Sequence, residues 1–376
     1  MKAVTLSRRQ AVAALSSTAA LPLIAGCTRP LAAAAPATPL PAAPASDAAV
    51  NALLDSIAEN LLRLQPESAT SLGIDKDEPG KPPRAALRYM LSDRSPAGQK
   101  RIADTLRLDL ARADAVSTSS LPHATRTSIE VVKSAYRTAL EGFAFPYGDV
   151  AVGGWRNTPY VVIQNVGAYL DIPRFLDSEH QVKAAADAEA WLARLASYPR
   201  QLDGELARMR QARANGLIPP SFLIDTAIKQ MEASIKGARE GGSLVEQIRT
   251  KTKDIPGNWA ERARPMVTGE VAPALERQLE ELRAQRAQAT DIAGMWSRPQ
   301  GEAYYRWAAR AATTTSMTPD EIHQLGIDTL RSLHAQMDTI LRGLGYTQGT
   351  VGQRMLALSK DKRFTFPDND EGRAQV

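Results

Sequence analysis

The chain has one cysteine, Cys27, in 376 residues. No internal disulfide is possible, and because this thiol closes an apolar segment, its role belongs to the N-terminal region and not to a core. Aromatic residues are scarce at 5%, while Ala, Leu, Arg and Glu abound, which favours a mainly α fold. No apolar run reaches the roughly 20 residues needed to span a bilayer. A large excess of one charge is also missing. The formal charge of +5 includes Lys2, Arg8 and Arg9, and without these three it falls to +2. With no basic block for phosphate, nucleic acid is not an expected partner.

What the N-terminus does contain is an address. Ser7-Arg8-Arg9-Gln10 resembles a twin-arginine export signal, although Ala11 stands where a large apolar residue is usual, and a moderately apolar stretch follows from residue 11 to 25. Leu23-Ile24-Ala25-Gly26-Cys27 resembles a lipobox, whose small residues admit the signal peptidase and whose thiol accepts a diacylglyceryl group. Residues 1–26 are therefore read as a removable signal with Arg8 and Arg9 as its export signal, and Cys27 as the lipidation site. The alternative is a short N-terminal membrane helix with a chance cysteine. Residues 28–45 are dominated by Ala and Pro, and with Cys27 they read as a disordered tether between lipid and domain. The location implied is exported, on the periplasmic side, and lipid-anchored to a membrane.

From Ser46 onward the periodicity is helical. Val50, Leu53, Leu54, Ile57, Leu61 and Leu64 share one face after a capping Ser46 and before Pro66. Helical patterns follow over 84–115, broken near Ser95-Pro96, and over 124–143. Residues 145–173 carry Pro, paired Gly and the run Tyr160-Val161-Val162-Ile163, which suggests a long loop or brief strand of functional interest. A long helix around Trp191 to Met209 stops at Asn215-Gly216. Further helices are expected over 220–235, 256–289 and 301–313, with Gly241-Gly242 as a break. Thr318-Pro319-Asp320-Glu321 is the clearest helix start, a capping box that should lead a helix to about Leu341. Residues 46–366 thus form one large helical part, and 367–376 read as a frayed, truncated end.

The chemistry-bearing residues are few. The four His are His123, His180, His323 and His334. No two stand one helical turn apart, and His323 and His334, though nearly on one face, are separated by a rise of roughly 16 Å. No nucleophile elbow, phosphate loop or dinucleotide loop is present. Trp296, Tyr304, Tyr305 and Trp307 either line a cavity or pack in a core.

Several stretches resemble the bacterial domain-of-unknown-function 885 family, whose members are similar to gluzincin-type zinc metallopeptidases. They include Pro66-Glu67-Ser68-Ala69-Thr70-Ser71-Leu72-Gly73, Gly167-Ala168-Tyr169-Leu170-Asp171-Ile172-Pro173, Gly216-Leu217-Ile218-Pro219-Pro220 and Gly301-Glu302-Ala303-Tyr304-Tyr305. The strongest runs from Thr313 to Gly326 and contains Thr318-Pro319-Asp320-Glu321-Ile322-His323. The resemblance implies a mostly helical N-terminal part of a longer protein whose His-Glu-x-x-His helix would bind zinc. That motif is not in this sequence, so no catalytic residue and no metal ligand transfers, and zinc is expected only in the full-length relative. Tyr305 and His323 are the substrate-side candidates that the resemblance implies. Two readings stand: an exported, metallopeptidase-like hydrolase inactive as this fragment, with a possible peptide substrate; or a membrane-tethered helical protein that binds a peptide or partner without catalysis.

Overall fold

The computed structural model describes residues 46–153 and 157–375. The export signal with Arg8 and Arg9, Cys27, and the tether expected up to residue 45 lie outside the described residues. Among those described, the architecture is mainly α, and β pairing consists of the isolated bridges Asp149–Thr158 and Ile163–Val166.

Helix α1 (Asp47–Leu64) starts where Ser46 Oγ accepts the Ala49 amide at 3.2 Å. Pro66, whose missing amide proton costs nothing in a first turn, opens α2 (Pro66–Ser71). The helical pattern expected from residue 84 forms only a 3-10 turn, Ala85–Tyr89, before α3 (Pro96–Asp114) begins behind the cap Ser95. With α4 (His123–Gly142), helices α1 and α3 enclose a first core of Val50, Ile57, Leu106, Ile129 and Tyr136.

The segment expected to be loop up to residue 173 ends earlier. Helix α5 (Ala168–Ser178) passes straight through Pro173. A proline at that position costs about 3 kcal/mol. Ala168, Tyr169, Ile172, Phe175 and Leu176 are all buried, and each large apolar side chain returns roughly 1.5–3 kcal/mol. Burial therefore outweighs local propensity.

Helix α6 (Ala185–Ala214) is the central strut. Its first turn is closed by Asp187, whose carboxylate accepts the Lys183 and Ala184 amides at 2.8 and 3.1 Å. It ends at Asn215 and at Gly216, whose φ of 74° is the left-handed geometry that glycine adopts without strain. Against it pack α9 (Trp259–Met266) and α10 (Ala272–Arg286), joined by the π turn Val267–Val271, while α7 (Ser221–Arg239) packs on α10 and α8 (Gly242–Lys251) on α9. Trp191, Leu195, Leu202, Ile224, Met231 and Leu282 form the second and larger core. The glycine pair expected as a simple break hides α8: Gly241 and Gly242, with φ of 88° and 41°, reverse the chain together, and the next helix begins at Gly242.

Helix α11 (Gly301–Thr313) lies on α4. Among the described residues, helix α12 (Pro319–Gly343) packs substantially only against α13 (Val351–Ser359). The end expected to be without a finishing element instead forms a short helix, α14 (Asp370–Gln375), where Asn369 Oδ1 accepts the Gly372 amide at 2.8 Å. No helix among the described residues is long and apolar enough to cross a membrane.

Candidate functional site

A polar stripe runs along the buried side of α6. At 100° per residue, Arg194, Gln201, Glu205 and Arg208 fall on one face beside the apolar Leu202, Leu206 and Met209, and all four polar side chains are buried. Glu205 is completely enclosed, and both its oxygens accept the Ala168 amide at 2.9 Å. It also accepts Arg94 Nη1 at 2.8 Å and Gln278 Nε2 at 3.3 Å. Arg94 reaches it because α6 and the chain before α3 approach closely at Gly204, where a Cβ would lie 2.8 Å from the Ser95 nitrogen.

The same guanidinium stands 3.4 Å from Asp171 on α5. One turn on, Arg208 Nη2 donates to Asp149 at 2.7 Å and to the Gly148 carbonyl at 2.8 Å. Burial pushes the Glu205 carboxyl up, while Arg94 and the Ala168 amide oppose it. Asp149 adds to the upward push and the net shift is upward, although the hydrogen bonds from Arg94, Ala168 and Gln278 all serve the ionised form. For Arg94, burial works to lower the pKa, but Glu205 and Asp171 outweigh it and the net shift is upward.

Above this lattice opens a cleft of about 410 Å³ lined by Glu67, Ser71, Arg94, Asp149, Asp171 and Glu179, among others. A smaller hollow of about 280 Å³, with Phe145, Tyr147 and Arg208 in its wall, adjoins it at Gln99 and Val150. Carboxylates outnumber guanidinium groups in the larger cleft, so its field favours a cationic group. The carboxylates are engaged: Glu67 accepts the Ser92 amide at 2.9 Å, and Glu179 accepts the Ser71 hydroxyl. No His or Cys lines either hollow, and of the serine hydroxyls in the larger one, those of Ser71 and Ser92 donate to the carboxylates of Glu179 and Glu67.

The residues singled out from sequence are placed elsewhere. The aromatic group divides: Tyr304 and Trp307 are buried, whereas Tyr305 and Trp296 are exposed. Tyr304 stacks on Tyr147 with ring centroids 3.9 Å apart, and Trp307 Nε1 donates to the Thr138 carbonyl at 2.8 Å. His323 lies exposed in the first turn of α12, which the capping box holds: Thr318 N donates to Glu321 at 2.7 Å, and Glu321 N donates to the Thr318 hydroxyl at 3.3 Å. Neither Tyr305 nor His323 lines the cleft. Sequence reasoning missed Arg94, Asp171, Glu205 and Arg208. The signal that points to the last two is charge within an otherwise apolar helix face.

A zinc ion implied by the family resemblance does not fit the described residues. His123, His323 and His334 are exposed and isolated, and His180 uses both ring nitrogens, one toward Arg194 and one toward the Asp187 carbonyl. Among the described residues no group of three or more His, Cys, Asp or Glu is arranged to hold a metal.

The chain belongs to the family described as bacterial protein of unknown function (DUF885), whose model matches residues 66–376. It is similar in fold to the crystal structure of "the putative lipoprotein from Colwellia psychrerythraea", with a TM-score of 0.77 and 23% sequence identity, covering 87% of this chain and 56% of that one. The chain thus spans little more than half the length of that solved structure. No curated protein matches it.

Proposed function

We propose that this chain is the exported, lipid-anchored helical part of a metallopeptidase-like hydrolase, with the reacting centre supplied by polypeptide outside the residues described. The observation that carries the reading is the unequal coverage, 87% of this chain against 56% of the solved structure. In this reading the chain supplies one part of a larger fold. The sequence supports the anchoring, since Arg8 and Arg9 precede an apolar stretch that Cys27 closes. The solved structure of similar fold also carries the description lipoprotein. In this reading zinc is held by the remaining part, on the periplasmic side, and a peptide is the substrate.

Within this chain the acidic cleft beside Arg94 and Asp171 receives a cationic end of that peptide, such as its free amine.

Cell fractionation of the full reading frame tests the anchor. The wild-type protein is expected in the membrane fraction, and Cys27→Ser in the soluble fraction without incorporated fatty acid. Unchanged fractionation of the variant would return the N-terminus to an uncleaved anchor helix.

A further inference from the structure

Helix α12 is amphipathic along its whole length, yet Leu341 is its only buried residue. Ile322, Leu330, Leu333, Met337, Ile340 and Leu344 fall within about 80° of one another around the axis. Leu330 is 49% exposed, Leu333 48% and Ile340 63%. The opposite face is already satisfied by its own ion pairs, Asp328 with Arg331 at 3.1 Å and Asp338 with Arg342 at 2.7 Å. The polar side therefore needs nothing further, while the apolar side lacks a partner among the described residues. Apolar surface continues into α13, where Leu356 is 58% exposed, and beyond it to Phe364 and Phe366. Isolated exposed leucines are ordinary, but a contiguous stripe of this length marks a contact surface.

We propose that the α12 stripe is the docking face for the polypeptide corresponding to the part of the solved Colwellia structure that this chain does not match. The inference rests on the reading of the chain as one part of a larger fold and names the surface that joins the parts. The α12 stripe taken by itself is small for a second copy of this chain as the occupant, an outcome the test below reads directly. A helix of 25 residues is roughly 37 Å long, and its apolar stripe roughly 10 Å wide. Two copies joined stripe to stripe would bury on the order of 700–800 Å², short of the roughly 1,200 Å² of a stable interface. A polypeptide that wraps the helix on both flanks meets the requirement. The solved structure holds the needed material, since 44% of its length lies outside the match.

The test compares hydrogen exchange of α12 in residues 28–376 alone and in the natural reading frame read past codon 376. Expected are rapid exchange over 325–340 in the short chain, exchange slowed by about 100-fold or more in the longer one, and loss of that protection in Leu330→Asp/Leu333→Asp. The same double variant should leave urea unfolding of the short chain unchanged, because its side chains are exposed there. A stop at codon 376, equal exchange in both chains, or a dimer of the short chain abolished by the double variant would each overturn the proposal. Zinc-dependent hydrolysis by the longer chain is read separately. Protected α12 without hydrolysis removes the hydrolase reading and leaves the docking face; hydrolysis without protection does the reverse.

Discussion

The guanidinium of Arg194 stands 2.8 Å from His180 Nδ1, and neither side chain has any exposed surface. Because an arginine only donates, Nδ1 must be the accepting nitrogen, and Nε2 carries the proton toward the Asp187 carbonyl at 3.2 Å. His180 is therefore neutral. Arg194 also donates to the Met90 and Leu87 carbonyls at 2.9 and 3.1 Å and to the Thr70 hydroxyl at 2.7 Å, with its Cζ 4.8 Å from the Phe175 ring centre. One side chain ties α6 to α2, the 3-10 turn and α5.

This pairing sets a pH dependence. Burial, reinforced by Arg194, pushes His180 from 6.5 down to about 3. Its contribution to stability is fully present above pH 6.5 and is lost progressively as pH falls toward 3, because only the unfolded chain takes up the proton in that window. Unfolding free energy should fall by up to about 1.4 kcal/mol per pH unit below 6.5. Urea titrations at pH 7 and pH 5 check this, and His180→Gln should show a smaller difference between the two. An identical difference in variant and wild type would assign the pH dependence elsewhere.

Breaking the Arg94–Glu205 pair leaves a fully enclosed carboxylate without its cation. Arg94→Met should cost about 3–5 kcal/mol. Adding Glu205→Gln to that variant should recover part of the loss, since the neutral amide no longer needs a cation. Equal stability of the single and double variants in urea would show that the pair is not coupled.

Gly142 lies under Trp307, where a Cβ would sit 2.1 Å from the indole. Gly142→Ala should push the ring out, destabilise by about 1–3 kcal/mol and shift tryptophan emission to the red. Unaltered emission would mean that α11 moves as a body without giving up the contact.

What was legible in the sequence follows the range of the interactions. The starts of α1 and α12 could be read because Ser46, Thr318 and Glu321 act within three residues of their partners. Helix α5 was hidden because Pro173 argues locally against a helix that burial sustains from a distance. The Arg94–Glu205 contact joins residues 111 apart, and no spacing rule reaches that far. Its trace lies in α6, where Arg194, Gln201, Glu205 and Arg208 interrupt an apolar face at helical spacing. Tyr305 and His323, taken from family resemblance, are exposed on α11 and α12 and away from the cleft.

The proposed placement of a reacting centre outside this chain is tested most directly by assaying residues 28–376 for peptide hydrolysis with added zinc and with chelator. The predicted result is no chelator-sensitive turnover and no stoichiometric zinc. One zinc per chain with turnover abolished by chelator would contradict it.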